Sequence, residues 1–178
     1  DGQLLVHFLG HGGRFIWRTG PPDLRKNHDL FTLDDVSQLH NGARLPMVLS
    51  MTCYSAPFDN PTEDSIGERF LREPEKGAVA VFAASWRNSP DPAYSKALIA
   101  ELLTPGQTIG AAIIKAKRKI SDRTLVETYN LLGDPALVLD RPKDTLALAH
   151  GTDRWSTQVA VQLPGNNFHG MVNVDWLN

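Results

Sequence analysis

Short apolar runs alternate along the chain with segments whose hydrophobic residues recur every three or four positions. Residues 4–9, Leu-Leu-Val-His-Phe-Leu, are almost continuously apolar and end at Gly10, the pattern of a strand buried on both faces. Residues 46–52 repeat it and lead into Cys53. Residues 77–85 give a third run, with 78–84 as its core, and residues 136–140 (Ala-Leu-Val-Leu-Asp) a shorter fourth. Between them lie helical patterns. Thr32 suits an N-cap, with Asp35 at the third helical position and Phe31 and Val36 spaced as a hydrophobic staple. That helix is expected to stop near Asn41-Gly42. Residues 64–73 place Ile66 and Phe70 four apart on one face. Residues 93–103 and 108–120 also read as helices. In the second, Ile109, Ala112, Ile113, Ala116 and Ile120 form the apolar stripe, and Lys115, Lys117, Arg118 and Lys119 are expected to face water. Strands alternating with helices predict an α/β fold, a mostly parallel sheet covered by helices on both faces.

The texture changes after Pro142. Residues 1–142 form the expected α/β domain and residues 143–178 a linker and β-structure outside its sheet. Residues 154–163 and 168–177 alternate in character around Pro164-Gly165-Asn166-Asn167, which predicts a hairpin. It reads either as an appendage or as the start of a β-sandwich domain.

Composition narrows the chemistry. The chain has 178 residues, 18 basic against 20 acidic, for a net charge of −2, so no electrostatic footprint points to nucleic acid. The 115–119 basic cluster reads as a solvated helix face. No apolar run approaches the roughly 20 residues of a membrane span. The single cysteine excludes a disulfide framework within the chain and a cysteine-based zinc cluster. His7 and His11 on one strand would stand about 13 Å apart, too far to share an ion, so no metal site is expected there and no cofactor is implied. Asp1 leads almost at once into an apolar strand, as in the interior of a longer precursor.

Two reactive side chains remain. In open α/β sheets, ligands bind at the carboxyl ends of the strands. His11 follows the first strand within Gly10-His11-Gly12-Gly13, and Cys53 follows the second within Met51-Thr52-Cys53-Tyr54-Ser55. If one crossover through the 32–41 helix makes those strands neighbours, imidazole and thiol emerge at one edge. Cys53 would then act as nucleophile and His11 as its acid–base partner. Gly12, without a side chain, would let a substrate carbonyl approach a backbone oxyanion site. Taken singly, His11 also fits a satisfied turn histidine and Cys53 a small buried hydrophobe.

Gly10-His11-Gly12, Asn41-Gly42-Ala43-Arg44-Leu45-Pro46 and Ser50-Met51-Thr52-Cys53 resemble the gingipain-type cysteine peptidases. So do Phe58-Asp59, Ser65-Ile66-Gly67-Glu68, the 77–83 run and Tyr129-Asn130-Leu131-Leu132-Gly133-Asp134-Pro135-Ala136-Leu137. The resemblance spans residues 4–140 and implies a caspase-like three-layer α/β/α sandwich. It also implies endopeptidase action on a polypeptide substrate through a thioacyl-enzyme. On this reading Cys53 attacks, His11 protonates the leaving amine, and the N–H groups of Gly12 and Cys53 form the oxyanion hole. Ser85 and Trp86 match a stretch lining the primary specificity pocket, and Asp91 just beyond could recognise a basic side chain or simply sit in a solvated turn. Asp134 reads as a turn carboxylate. Family members carry two strands and a helix before the histidine strand, so a companion chain or an upstream segment is expected to complete the sheet. The resemblance further implies a secreted or cell-surface bacterial protein. A catalytically silent scaffold of the same fold is the competing reading, and retention of both Cys53 and His11 favours the enzyme.

Overall fold

The structure, a computed structural model, describes residues 3–20 and 29–140 and the backbone of residues 147–152 and 157–162. The chain divides into two units, Asp1–Asp140 and Arg141–Asn178.

The first unit is built on a four-stranded sheet. Its strands are β1 (Leu5–Leu9), β5 (Met47–Met51), β6 (Ala80–Ala84) and β7 (Tyr129–Gly133), side by side in that order. β1, β5 and β6 run parallel, with Leu9 opposite Met51 at the end of the first pair, and β7 runs antiparallel to β6. Every residue of β5 and β6 is buried, which explains why both read as unbroken apolar runs.

Alternate residues of these strands go to opposite cores. Met47, Leu49, Met51, Phe82 and Ala84 join Tyr94, Leu98, Ile109, Ala112 and Ile113 of helices α3 (Pro92–Leu102) and α4 (Ile109–Lys117). Val48, Val81 and Ala83 join Trp17, Val36, Ile66 and Phe70, which brings in helices α1 (Leu33–Ser37) and α2 (Ile66–Arg72). Helices therefore cover both faces. α1 and α2 are short but doubly capped. The hydroxyls of Thr32 and Ser65 accept from the amides of Asp35 and Glu68, whose carboxylates accept from the cap amides in return.

Several expectations are corrected. Residues 136–140 are not a strand; only Val138 makes an isolated bridge, to Thr108. Gly133, at φ +131, ends β7, and the Pro135 and Leu137 carbonyls accept the first two amides of α4 at 2.9 and 2.8 Å. The apolar run thus serves as a cap for that helix, with Leu137 and Leu139 packed on the core. The fourth strand is β7, preceded without a break by helix α5 (Arg123–Thr128). α1 stops at Ser37, earlier than expected. Asn41-Gly42 forms a separate turn in which the Asn41 amide donates to the carbonyls of Arg44 and Gly77. Lys117 does not face water; burial lowers its pKa, and its ammonium donates to the carbonyls of Val126 and Tyr129, both at 2.7 Å.

A second sheet was not foreseen. Strands β2 (His11–Gly13), β3 (Ile16–Arg18) and β4 (Asp29–Thr32) form an antiparallel three-stranded sheet immediately after β1. In the second unit, β8 (Ala147–Thr152) and β9 (Thr157–Gln162) pair as a hairpin. The expected turn at Pro164-Gly165-Asn166-Asn167 lies outside the described residues. The expected partner strand 168–177 lies outside the described residues. No helix among the described residues is long and apolar enough to cross a membrane.

Candidate active site

Register brings the two reactive residues level. β1 and β5 are parallel neighbours whose last pair is Leu9 with Met51, so His11 and Cys53 each lie two residues beyond that pair. Beyond it the two segments diverge in form. His11 opens strand β2, whereas Cys53 begins a turn in which Tyr54 adopts φ +52. That region is rarely occupied by an aromatic residue and costs roughly 1 kcal/mol or more. The strained backbone is tied down on both sides: Tyr54 N–H donates to the Trp86 carbonyl at 3.1 Å and Ala56 N–H to that of Ala84 at 2.9 Å. Below it a buried polar chain runs from Trp17 Nε1 to Ser50 Oγ and on to Ser55 Oγ, each step 2.8 Å.

Cys53 is a free thiol, half-buried, and its Sγ donates to the Gly12 carbonyl at 3.2 Å. The thiol thus sits against the backbone of the residue following His11. His11 is exposed, and no hydrogen bond to a described residue holds its ring. Among the described residues the Cys53 N–H has no hydrogen-bond partner either. Gly12 has a reason for being glycine beyond an open approach for substrate. A Cβ there would stand 2.3 Å from Thr52 Oγ1, so the buried Thr52 side chain fills that space.

The histidine segment is anchored from behind. The two residues joining β2 to β3 offer their carbonyls to helix N-termini: Arg14 O accepts from Ile66 N–H at 2.6 Å and Phe15 O from Leu33 N–H at 2.8 Å. The Arg14 side chain reaches forward, forming an ion pair with Asp59, donating to Tyr54 Oη at 3.4 Å and lying over the Tyr54 ring at 5.6 Å. The ion-paired hydrogen bond holds the Asp59 carboxyl below its ordinary range and raises the Arg14 guanidinium. Sequence reasoning missed this cluster; the available signal was a bulky residue directly after the cysteine, where the chain must turn.

The expected pocket residues divide. Trp86 is 57% exposed and meets Tyr54 edge-to-face at 5.7 Å, so it lies beside the cysteine turn. The Ser85 hydroxyl is committed elsewhere, donating to the Thr128 carbonyl and accepting from Asn130 Nδ2. Asp91 caps α3, accepting from Ala93 N–H at 2.8 Å. Asp134 likewise caps its own turn through Ala136 N–H. Tyr129, fully buried, donates from Oη towards the Thr52 carbonyl and Asn88 Oδ1, both at 3.3 Å, and burial raises its pKa.

A mixed α/β fold whose mostly parallel sheet delivers a histidine and the sole cysteine to one edge is the arrangement expected of a cysteine peptidase. Residues 1–140 match the model of peptidase family C25, and the chain belongs to that family, the gingipain-type peptidases. Its fold is similar to that of the Arg-specific cysteine proteinase gingipain R. The TM-score is 0.65 and the identity 20%, over 84% of this chain and 37% of that one. A second structure, described as a protease, aligns with a TM-score of 0.63 and 19% identity, over 89% of this chain and 42% of its own. The chain therefore spans about two-fifths of the length of these neighbours. No curated protein matches.

Proposed function

We propose that residues 1–142 carry the nucleophile and acid–base half of a cysteine endopeptidase of caspase-like three-layer α/β/α fold, with Cys53 and His11 as its dyad. One observation carries the reading: the Cys53 thiol rests on the Gly12 carbonyl, one residue from His11, at the carboxyl edge of a parallel strand pair.

The chemistry follows from those groups. His11 takes the Cys53 proton, and the thiolate adds to the scissile carbonyl carbon of a bound polypeptide. Negative charge develops on the carbonyl oxygen, where the Cys53 N–H, free of described partners, and the Gly12 N–H are the candidate donors. The imidazolium returns its proton to the leaving amine as the C–N bond breaks. Water, deprotonated by His11, then hydrolyses the thioester, releasing the acid and restoring the thiol. Trp86 and Tyr54 supply an exposed aromatic wall beside the thiol for the side chain preceding the cut. Asp91 has a helix to cap, which weakens it as a recogniser of basic side chains. β1 lies at the edge of the sheet, paired on one side with β5, and an upstream segment or companion chain adding strands there would extend both sheet and pocket.

The test is hydrolysis of a peptide library by the full chain beside Cys53→Ala and His11→Ala. Removing the nucleophile should lower kcat by several orders of magnitude with the melting temperature retained, and removing the histidine should be nearly as damaging. Cleavage at the wild-type rate in Cys53→Ala would overturn the dyad and leave the scaffold reading.

A further inference from the structure

Among the contacts between the two segments bearing the dyad residues, the thiol meets Gly12 O, Gly12 packs on Thr52, and the Arg14 side chain reaches Tyr54. Arg14 lies three residues after His11 and Tyr54 one residue after Cys53. The guanidinium bonds to both Tyr54 Oη and Asp59, and Tyr54 Oη closes the triangle by donating to the other Asp59 oxygen at 3.5 Å. The cation also lies over the Tyr54 ring, whose edge meets Trp86. Arg14 is 14% exposed and Asp59 58%, so the arginine is the buried member and the carboxylate closes over it from solvent. Tyr54 cannot rely on its own backbone for this geometry, because φ +52 is unfavourable for an aromatic residue.

Resting on the dyad reading above, we infer that Arg14, acting through Tyr54 and Asp59, is a positioning residue that fixes the Cys53 turn against the His11 strand. An exposed ion pair adds little to global stability. Its leverage here is geometric: it spans the two segments whose separation governs proton transfer, and a displacement of about 1 Å costs on the order of 100-fold in rate. The cluster also couples that separation to Trp86, so loosening it disturbs the aromatic wall together with the thiol.

The experiment measures the rate of Cys53 alkylation by iodoacetamide at pH 6, where a thiol reacts fast only if a neighbouring base holds its proton. It compares the wild-type full chain with His11→Ala, Arg14→Ala, Arg14→Lys and Asp59→Asn, each confirmed folded by its melting curve. His11→Ala should slow alkylation about tenfold or more. Arg14→Ala and Asp59→Asn should each slow it about threefold to tenfold, with Arg14→Lys between them and wild type. Asp59→Asn separates positioning from charge. Removing a negative charge near the thiol would by itself speed alkylation, whereas breaking the clamp slows it. A faster or unchanged Asp59→Asn, beside a slowed His11→Ala, overturns the clamp and leaves the dyad standing. An unchanged His11→Ala overturns the dyad, and with it the role assigned to Arg14.

Discussion

Replacing Gly12 by alanine probes the contact between the two segments most directly. Its φ is not in the left-handed region, so the backbone tolerates alanine, and any penalty comes from packing. The new methyl would stand 2.3 Å from Thr52 Oγ1, 2.8 Å from Cγ2 and 3.1 Å from Cβ. Thr52 is fully buried at the end of β5, beside Cys53, and cannot swing into solvent. Overpacking of this kind costs about 1–3 kcal/mol, partly offset by the 0.4–1 kcal/mol that alanine gains by restricting the unfolded chain, roughly. The net loss of about 1–2 kcal/mol lowers the melting temperature by roughly 3–8 °C for a unit of this size. Circular dichroism melting of the full chain measures it. Thr52→Ala removes the two closest atoms and a buried hydroxyl that has no described partner. In the Gly12→Ala/Thr52→Ala double variant, most of the loss should therefore return relative to Thr52→Ala alone, a coupling of about 1 kcal/mol. A Gly12→Ala protein melting within a degree of wild type, or a double variant showing no coupling, would refute the reasoning.

Other expectations are simpler. Lys117→Met strands the Val126 and Tyr129 carbonyls and should destabilise by about 1–3 kcal/mol in denaturant titration. In the wild type, burial lowers the Lys117 pKa below 10.5, so the unfolded chain binds more protons just below that value. Its share of stability therefore rises as pH climbs towards 10.5, and the Met variant should lack that slope. Trp17→Phe keeps the buried stack on Phe8 but loses the indole N–H to Ser50, costing about 1 kcal/mol by the same titration. His7, whose pKa burial lowers from 6.5, should make the chain less stable as pH falls through 6.5, and His7→Gln should flatten that limb of the melting profile.

Much of the central sheet was legible because burial on both faces leaves no polar alternation in β5 and β6, and Cys53 follows directly on the first of them. On the second face α1 was legible through its cap, Thr32 with Asp35, and α2 through Ile66 and Phe70 four residues apart. The β2–β4 sheet was not. Its first two strands have three residues each, and they are joined by Arg14-Phe15, with none of the glycine or asparagine that marks tight hairpins. β7 was hidden for another reason: α5 runs into it with no turn residue between them, while the more apolar 136–140 run drew the strand assignment. At the site, the positions of His11 and Cys53 followed from strand ends. The ties of Ser85 and Asp91 to Thr128 and Ala93 did not, because local hydrogen bonds leave no periodic trace.

The carbonyls of Arg14 and Phe15, which receive the first amides of α2 and α1, have a consequence for the protein's motions. Lifting the histidine hairpin would unseat two helix termini at once, each held by one further reciprocal cap. Helices of seven and five residues have little propensity of their own to fall back on. The hairpin and the two helices are therefore bound to open as one cooperative unit, with the amides of Leu33 and Ile66 exchanging with solvent together rather than in sequence. A histidine that would otherwise ride on a fraying three-residue strand is thereby held as firmly as the weaker of the two helices behind it.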